Sequence, residues 1–251
     1  MNASEDKLLE ARLSDMTERC ERYWTPVYST FLDERQSAFA EQWLGRNSGG
    51  AGFALYGGYE GAMRKMLAVF PEQCAAEEGD FPMKCLTLSF RPEDKITHRD
   101  VLGSFMAQQL KREVVGDILT GDGIAQVFVT DVAAKLLMQS VTKIGRVGIK
   151  LTDDREFCLG NTQEFKQISG TVASLRLDCV VSLAAGISRE KAASLIRSDK
   201  VGVNHFPAAS VSQELREGDI LSVRGCGRFI LYGIDGLTKK NRIHIDIRKF
   251  I

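Results

Sequence analysis

An α+β fold in three parts is what this 251-residue sequence predicts, and three observations predict it. Apolar residues recur at helical spacing in some segments and alternate in others, and the two kinds of segment interleave along the chain. Between residues 83 and 151 the order is strand, helix, strand, strand, helix, strand. Polar or breaker-rich stretches interrupt the pattern near residues 72–81 and 161–174, and the balance of charge changes across them. The expected parts are an N-terminal α/β domain over 1–80, a middle domain over 81–165 and a C-terminal module over 172–251.

The chain opens with two helical patterns. "SEDKLLEARLSDMTERCERYW" places Leu8, Leu9, Leu13 and Met16 on one face, and "DERQSAFAEQWL" repeats the spacing with Phe39, Trp43 and Leu44. "GRNSGGAG" breaks the run. "FALYGGYEGAMRKMLAVFP" then reads as a strand, a glycine turn and a helix stopped by Pro71. In the middle domain, "MKCLTLSF" alternates as a strand and "HRDVLGSFMAQQL" has a helical period. "EVVGDILT" and "IAQVFVT" read as strands about the turn "GDG". "DVAAKLLMQSVTKI" reads as a helix capped by Thr130 or Asp131, and "RVGIKLT" as a strand. This βαββαβ order is the ferredoxin-like arrangement, shared with RNA-recognition motifs and with many domains that do not bind RNA. Base stacking on central strands needs paired aromatics, and "IAQVFVT" offers only Phe128, so this domain is expected to serve packing, partner contact or nonspecific support rather than direct base stacking. "NTQEFKQISGTVAS" is polar and reads as a connector to the third part.

The net charge of zero conceals a gradient. Residues 1–80 carry 8 Lys and Arg against 14 Asp and Glu, whereas residues 171–251 carry 13 against 8. The basic excess fits a polyanion-binding module attached to an acidic body. The six cysteines are scattered without a C-x-x-C pair or a histidine at ligand spacing, which predicts reduced, mostly buried thiols rather than a metal site or disulfide framework. No apolar run approaches the roughly 18–20 residues of a membrane span, and the acidic N-terminus does not read as a signal peptide. A folded, cytoplasmic protein is expected.

In the C-terminal part, "LRLDCVVSLAAG" sets Leu177, Val180, Val181 and Ala184 on one stripe, and "SREKAASLIRSD" does the same with Ala192, Leu195 and Ile196. Strands "KVGVN", "DILSVRG", "RFILYGID" and "RIHIDIRKF" follow. With the apolar stripes turned inward, Arg176, Arg189, Lys191, Arg197 and Lys200 remain outside, four of them within twelve residues. Ser188 is a good N-cap after the stop at Gly186. Position 191, where a capping box wants Glu or Gln, holds Lys, and a cation in the first turn opposes the helix dipole. A bound anion would reverse that penalty, so Ser188, Arg189, Lys191 and the free N–H groups make a candidate phosphate cradle. "SVRGCGRF" adds Arg224 and Arg228 beside two glycines.

These residues resemble the S4 RNA-binding domain, or alpha-L motif. The likeness rests on Arg-Leu-Asp in the first helix, Ser-Arg-x-x-Ala opening the second, the Val-x-Val-Asn strand, and Gly-Asp before the next strand. Upstream, "FLDERQ", "GGYEGAMRK" and "VLGSFMAQQLKREVVGDI", with "SVRGCGRF" downstream, are similar to the blocks of the YlmH-like S4 proteins of bacteria, in their order. The resemblance implies a noncatalytic RNA-binding protein with an N-terminal domain, a ferredoxin-like middle domain and a C-terminal S4 domain. It further implies ribosomal RNA, possibly tRNA, and the large subunit as partners, with a role at stalled, tRNA-blocked large subunits. No cofactor, membrane or small-molecule substrate is expected. The implied RNA-binding set is Arg176, Ser188, Arg189, Lys191, Arg197, Lys200, Arg224 and Arg228. One departure is His205-Phe206, where many S4 modules turn with Asn-Gly.

Enzymatic readings find little support. "RLD" echoes the surroundings of the catalytic aspartate in pseudouridine synthases, but Asp178 falls inside the S4-like helix with no catalytic domain enclosing it. "SREK" matches S-x-x-K without its companions S-D-N and K-T-G. Neither G-x-G-x-x-G nor a P-loop occurs, and His98, His205 and His244 form no triad by spacing. The competing nonenzymatic reading is a protein-interaction adaptor with a vestigial S4 fold.

Overall fold

The computed structural model describes residues 3–160, 165–238 and 241–251. They fall into two compact units, Met1–Asn161 and Thr162–Ile251.

The first unit contains both the expected 1–80 part and most of the expected 81–165 part. It begins with α1 (Ala3–Tyr23), β1 (Val27–Leu32), α2 (Glu34–Asn47), β2 (Gly52–Tyr56) and β3 (Lys65–Phe70). The capping box of Asp33 and Gln36 starts α2. β3 is the centre of an antiparallel sheet ordered β1-β3-β2. The helix expected over "AMRKMLAVF" is therefore a strand. Met66, Leu67, Ala68 and Val69 are all buried, Leu67 and Val69 against α1 and α2, Met66 and Ala68 on the opposite face. A strand buried on both faces shows an unbroken apolar run, which has no two-residue period to betray it.

The chain continues through β4 (Met83–Ser89), α3 (His98–Met106), β5 (Val115–Gly121), β6 (Ile124–Thr130), α4 (Asp131–Ser140), the short hairpin β7 (Lys143–Ile144) and β8 (Val147–Gly148), and β9 (Lys150–Thr152). The sheet order β5-β6-β4-β9 is that of a ferredoxin-like βαββαβ unit, with every neighbouring pair antiparallel. Thr97 caps α3 and Thr130 caps α4. α4 ends at Ser140 rather than running to Ile144, because the β-branched Val141 and Thr142 leave the helix for an extended path.

The second unit contains β10 (Phe165–Val172), α5 (Leu177–Ala185), α6 (Arg189–Arg197), β11 (Val201–Val203), β12 (Phe206–Pro207), β13 (Ile220–Val223), β14 (Gly227–Leu237) and β15 (Ile243–Phe250). Its sheet is ordered β10-β15-β14-β13-β11-β12. Much of the supposed connector is thus an edge strand, paired over its whole length with β15, while residues 161–164 lie outside the described set. Its polar character arises because one of its faces stays in water. The apolar stripes of α5 and α6 pack as the sequence predicts, with Leu177, Val180, Val181, Ala192 and Ile196 against Phe229, Leu231, Ile245 and Ile247.

Candidate nucleic-acid interface

The two helices of the second unit bring the candidate cations to one region, in an arrangement the sequence does not foretell. Gly186 closes α5 with φ 62° and gives its N–H to the carbonyls of Ser182 and Leu183, so α6 starts two residues later at the Ser188 cap. Ser188 Oγ accepts the Lys191 N–H at 3.2 Å. The Lys191, Arg197 and Lys200 side chains are exposed. Arg224 donates its backbone N–H to the Lys200 carbonyl at 2.9 Å, which places those two exposed cations side by side.

Arg176 and Arg189 have a second task. Both reach Asp178, whose side chain is only 5% exposed: Arg176 Nε lies 3.1 Å from Oδ1, and Arg189 Nε donates to Oδ2 at 2.7 Å. Burial pushes the Asp178 carboxyl up, but hydrogen bonds from the two guanidiniums and their charges outweigh it, and the net shift is downward. The residue that looked like an imitation of a catalytic aspartate is the anchor that sets two arginines at the mouths of α5 and α6. Arg189, paired but still half exposed, also borders a cleft of about 460 Å³ with Arg242. Arg242 holds the Thr171 carbonyl at 2.7 Å. Arg228 stands apart from the set. It alternates with the buried Phe229, so it lies on the sheet face away from α5 and α6, 4.8 Å over the Phe250 ring.

The turn at Asn204-His205 keeps its hairpin without glycine. Both residues take positive φ, 48° and 69°. Asn204 is held there by its side chain, which donates to Asp219 Oδ1 at 2.8 Å and accepts the Ile220 N–H at 2.9 Å.

The middle sheet has no open stacking face at the position the sequence singled out. Phe128 is 3% exposed, stacked on Tyr59 at 5.5 Å and packed on Phe157 at 5.2 Å. Beside it the buried Gln126 binds the covering segment through three bonds and β4 through a fourth: its Nε2 donates to the Glu156 carbonyl and to Thr87 Oγ1, and its Oε1 accepts from the N–H groups of Cys158 and Leu159. Tyr59 is fixed in turn by Asp117, which also accepts the Met63 and Arg64 N–H groups. Of the six cysteines, all free, Cys74 and Cys158 are exposed, so burial is less general than expected. Among the described residues no helix is long and apolar enough to cross a membrane.

Comparison with known proteins places these features. Residues 76–156 match the family described as "Putative RNA-binding domain in YlmH". Over 221 residues the chain is 32% identical to the "Ribosome-associated protein quality control protein P2" of Bacillus subtilis (strain 168), covering 87% of this chain and 85% of that one. The fold resembles that of the solved "Cell division protein ylmH from Streptococcus pneumoniae", with a TM-score of 0.53 at 19% identity over 62% of this chain and 94% of the other. The RNA-binding name thus falls on the middle part, to which the sequence pattern assigns packing, partner contact or nonspecific support rather than direct base stacking. With that identity over that span, the chain belongs to the YlmH family.

Proposed function

We propose that the protein is a noncatalytic, cytoplasmic RNA-binding factor whose C-terminal unit is an S4 domain, gripping structured ribosomal RNA or tRNA on stalled large subunits. The observation that carries this reading is the exposed face of α6 and its flanks, where Lys191, Arg197, Lys200 and Arg224 stand in solvent while Ala192 and Ile196 are buried behind them. A compact cationic surface suits structured RNA, which presents phosphates and 2′-hydroxyls more readily than base edges. The Bacillus relative's name supports the setting in ribosome-associated quality control.

The test is sedimentation of the full chain with ribosomal subunits at low and high salt. The expected result is comigration with large subunits that fades at high salt and in the Lys191→Glu/Arg197→Glu/Lys200→Glu variant. A folded variant that still comigrates would remove this surface from the model. The adaptor reading retains one observation, the exposure of Val132 and Leu136 on one side of α4. It would gain from association that survives complete nuclease digestion.

A further inference from the structure

The face of the C-terminal sheet opposite α5 and α6 carries a second cluster unlike the first. We propose that it is a stacking platform for unpaired RNA bases. Strand alternation puts Phe165, Gln167, Ser169 and Thr171 of β10 on this face, since Ile168 and Val172 face the core. In register with them on β15 lie Phe250, Arg248, Asp246 and His244. The Phe165 and Phe250 rings meet edge to face at 5.1 Å. Arg248 lies 3.2 Å from the centre of the Tyr232 ring and 5.8 Å from that of Phe165, and Arg228 covers Phe250. Phe165 is 41% exposed and Tyr232 49%.

Each ring here has a guanidinium beside it, Arg248 at Tyr232 and Phe165 and Arg228 at Phe250. That pattern suits single-stranded nucleic acid, because any base can stack on an aromatic face or on a flat guanidinium, while the cations meet the backbone phosphates. The carboxylates of the face sit at its other end, where Asp235 holds His244 at 2.9 Å and Asp246 holds Ser169. The cationic, aromatic end therefore accommodates a short tract, about two to three bases. The platform extends the RNA-binding reading above but uses other residues, so the two fail separately.

The experiment measures fluorescence anisotropy of the full chain with two labelled RNAs, an unstructured ten-nucleotide strand and a fully paired duplex. Phe165→Ala/Tyr232→Ala should weaken single-strand binding about a hundredfold, roughly tenfold for each ring, and leave duplex affinity within about twofold. Lys191→Glu/Arg197→Glu should chiefly weaken the duplex. Unchanged single-strand affinity in a folded platform variant overturns the proposal, as does a wild-type chain that binds duplex but not single strand. If the double variant loses its fold by circular dichroism, Tyr232→Ala alone decides, with a tenfold loss expected and no loss overturning it. Failure of the wild type to bind either RNA removes the functional reading as well. A photoreactive residue at position 165 that captures protein instead of RNA assigns the face to a protein partner and overturns the platform.

Discussion

Asp178 shows how one buried carboxylate organises a cationic surface. Its native pKa is depressed, so the folded chain binds fewer protons there than the unfolded chain does. The resulting stabilisation is present above the unfolded value near 4 and is lost as pH falls through the folded value. The urea midpoint of the C-terminal unit should therefore drop below about pH 4, and Asp178→Asn should flatten that dependence while costing about 1–3 kcal/mol at neutral pH. The neighbouring cations separate by the same logic. Arg189→Glu sets a second negative charge against Asp178 and should lower the unfolding midpoint, whereas Lys191→Glu completes a capping box with Ser188 and should raise it slightly. Circular dichroism across a urea series distinguishes them. The exposed cations were legible in the sequence because helical spacing alone sends them outward. The pairing was not, because nothing in "RLD" reveals that its aspartate is buried or that its partner lies eleven residues on.

Individual elements were legible where a period or a pair of boundary signals marks them. α5 and α6 show their helical period, the caps at Thr130 and Ser188 are visible as residue types, and β6, although buried on both faces, is bounded by the turn at Gly121–Gly123 and the cap at Thr130. β3 was not, since an apolar run buried on both faces reads equally well as a helix, and β10 was not, since the polar residues of its open face mask the few that meet the core. Gln126 illustrates a further limit. A lone amide in an apolar strand looks like an interruption, yet it fastens residues 156–159 across the sheet. Gln126→Leu strands the Cys158 and Leu159 N–H groups and should cost about 2–4 kcal/mol. Hydrogen exchange at those two amides should accelerate before the rest of the unit is affected.

For the whole molecule, the charge gradient along the chain predicts an electrostatic signature. If about four phosphates are neutralised, affinity for structured RNA should fall about a hundredfold between 50 and 200 mM salt, and each lost cation should flatten the slope by about one. Titrations at several salt concentrations with wild type and Lys200→Glu provide the check. Covering of the Phe128 face bears on the same scale, because it leaves the rims and helices of the middle part, rather than its sheet, for any RNA contact there. β15 enters the C-terminal sheet between β10 and β14, the first strand of that unit on one side and the long hairpin strand on the other. During synthesis β10 emerges some seventy residues before β15, the only strand it pairs with among the described residues, so the sheet stays open until β15 has cleared the ribosomal tunnel. The C-terminal unit is thereby completed late, after the ribosome that made it has delivered nearly all of the unit.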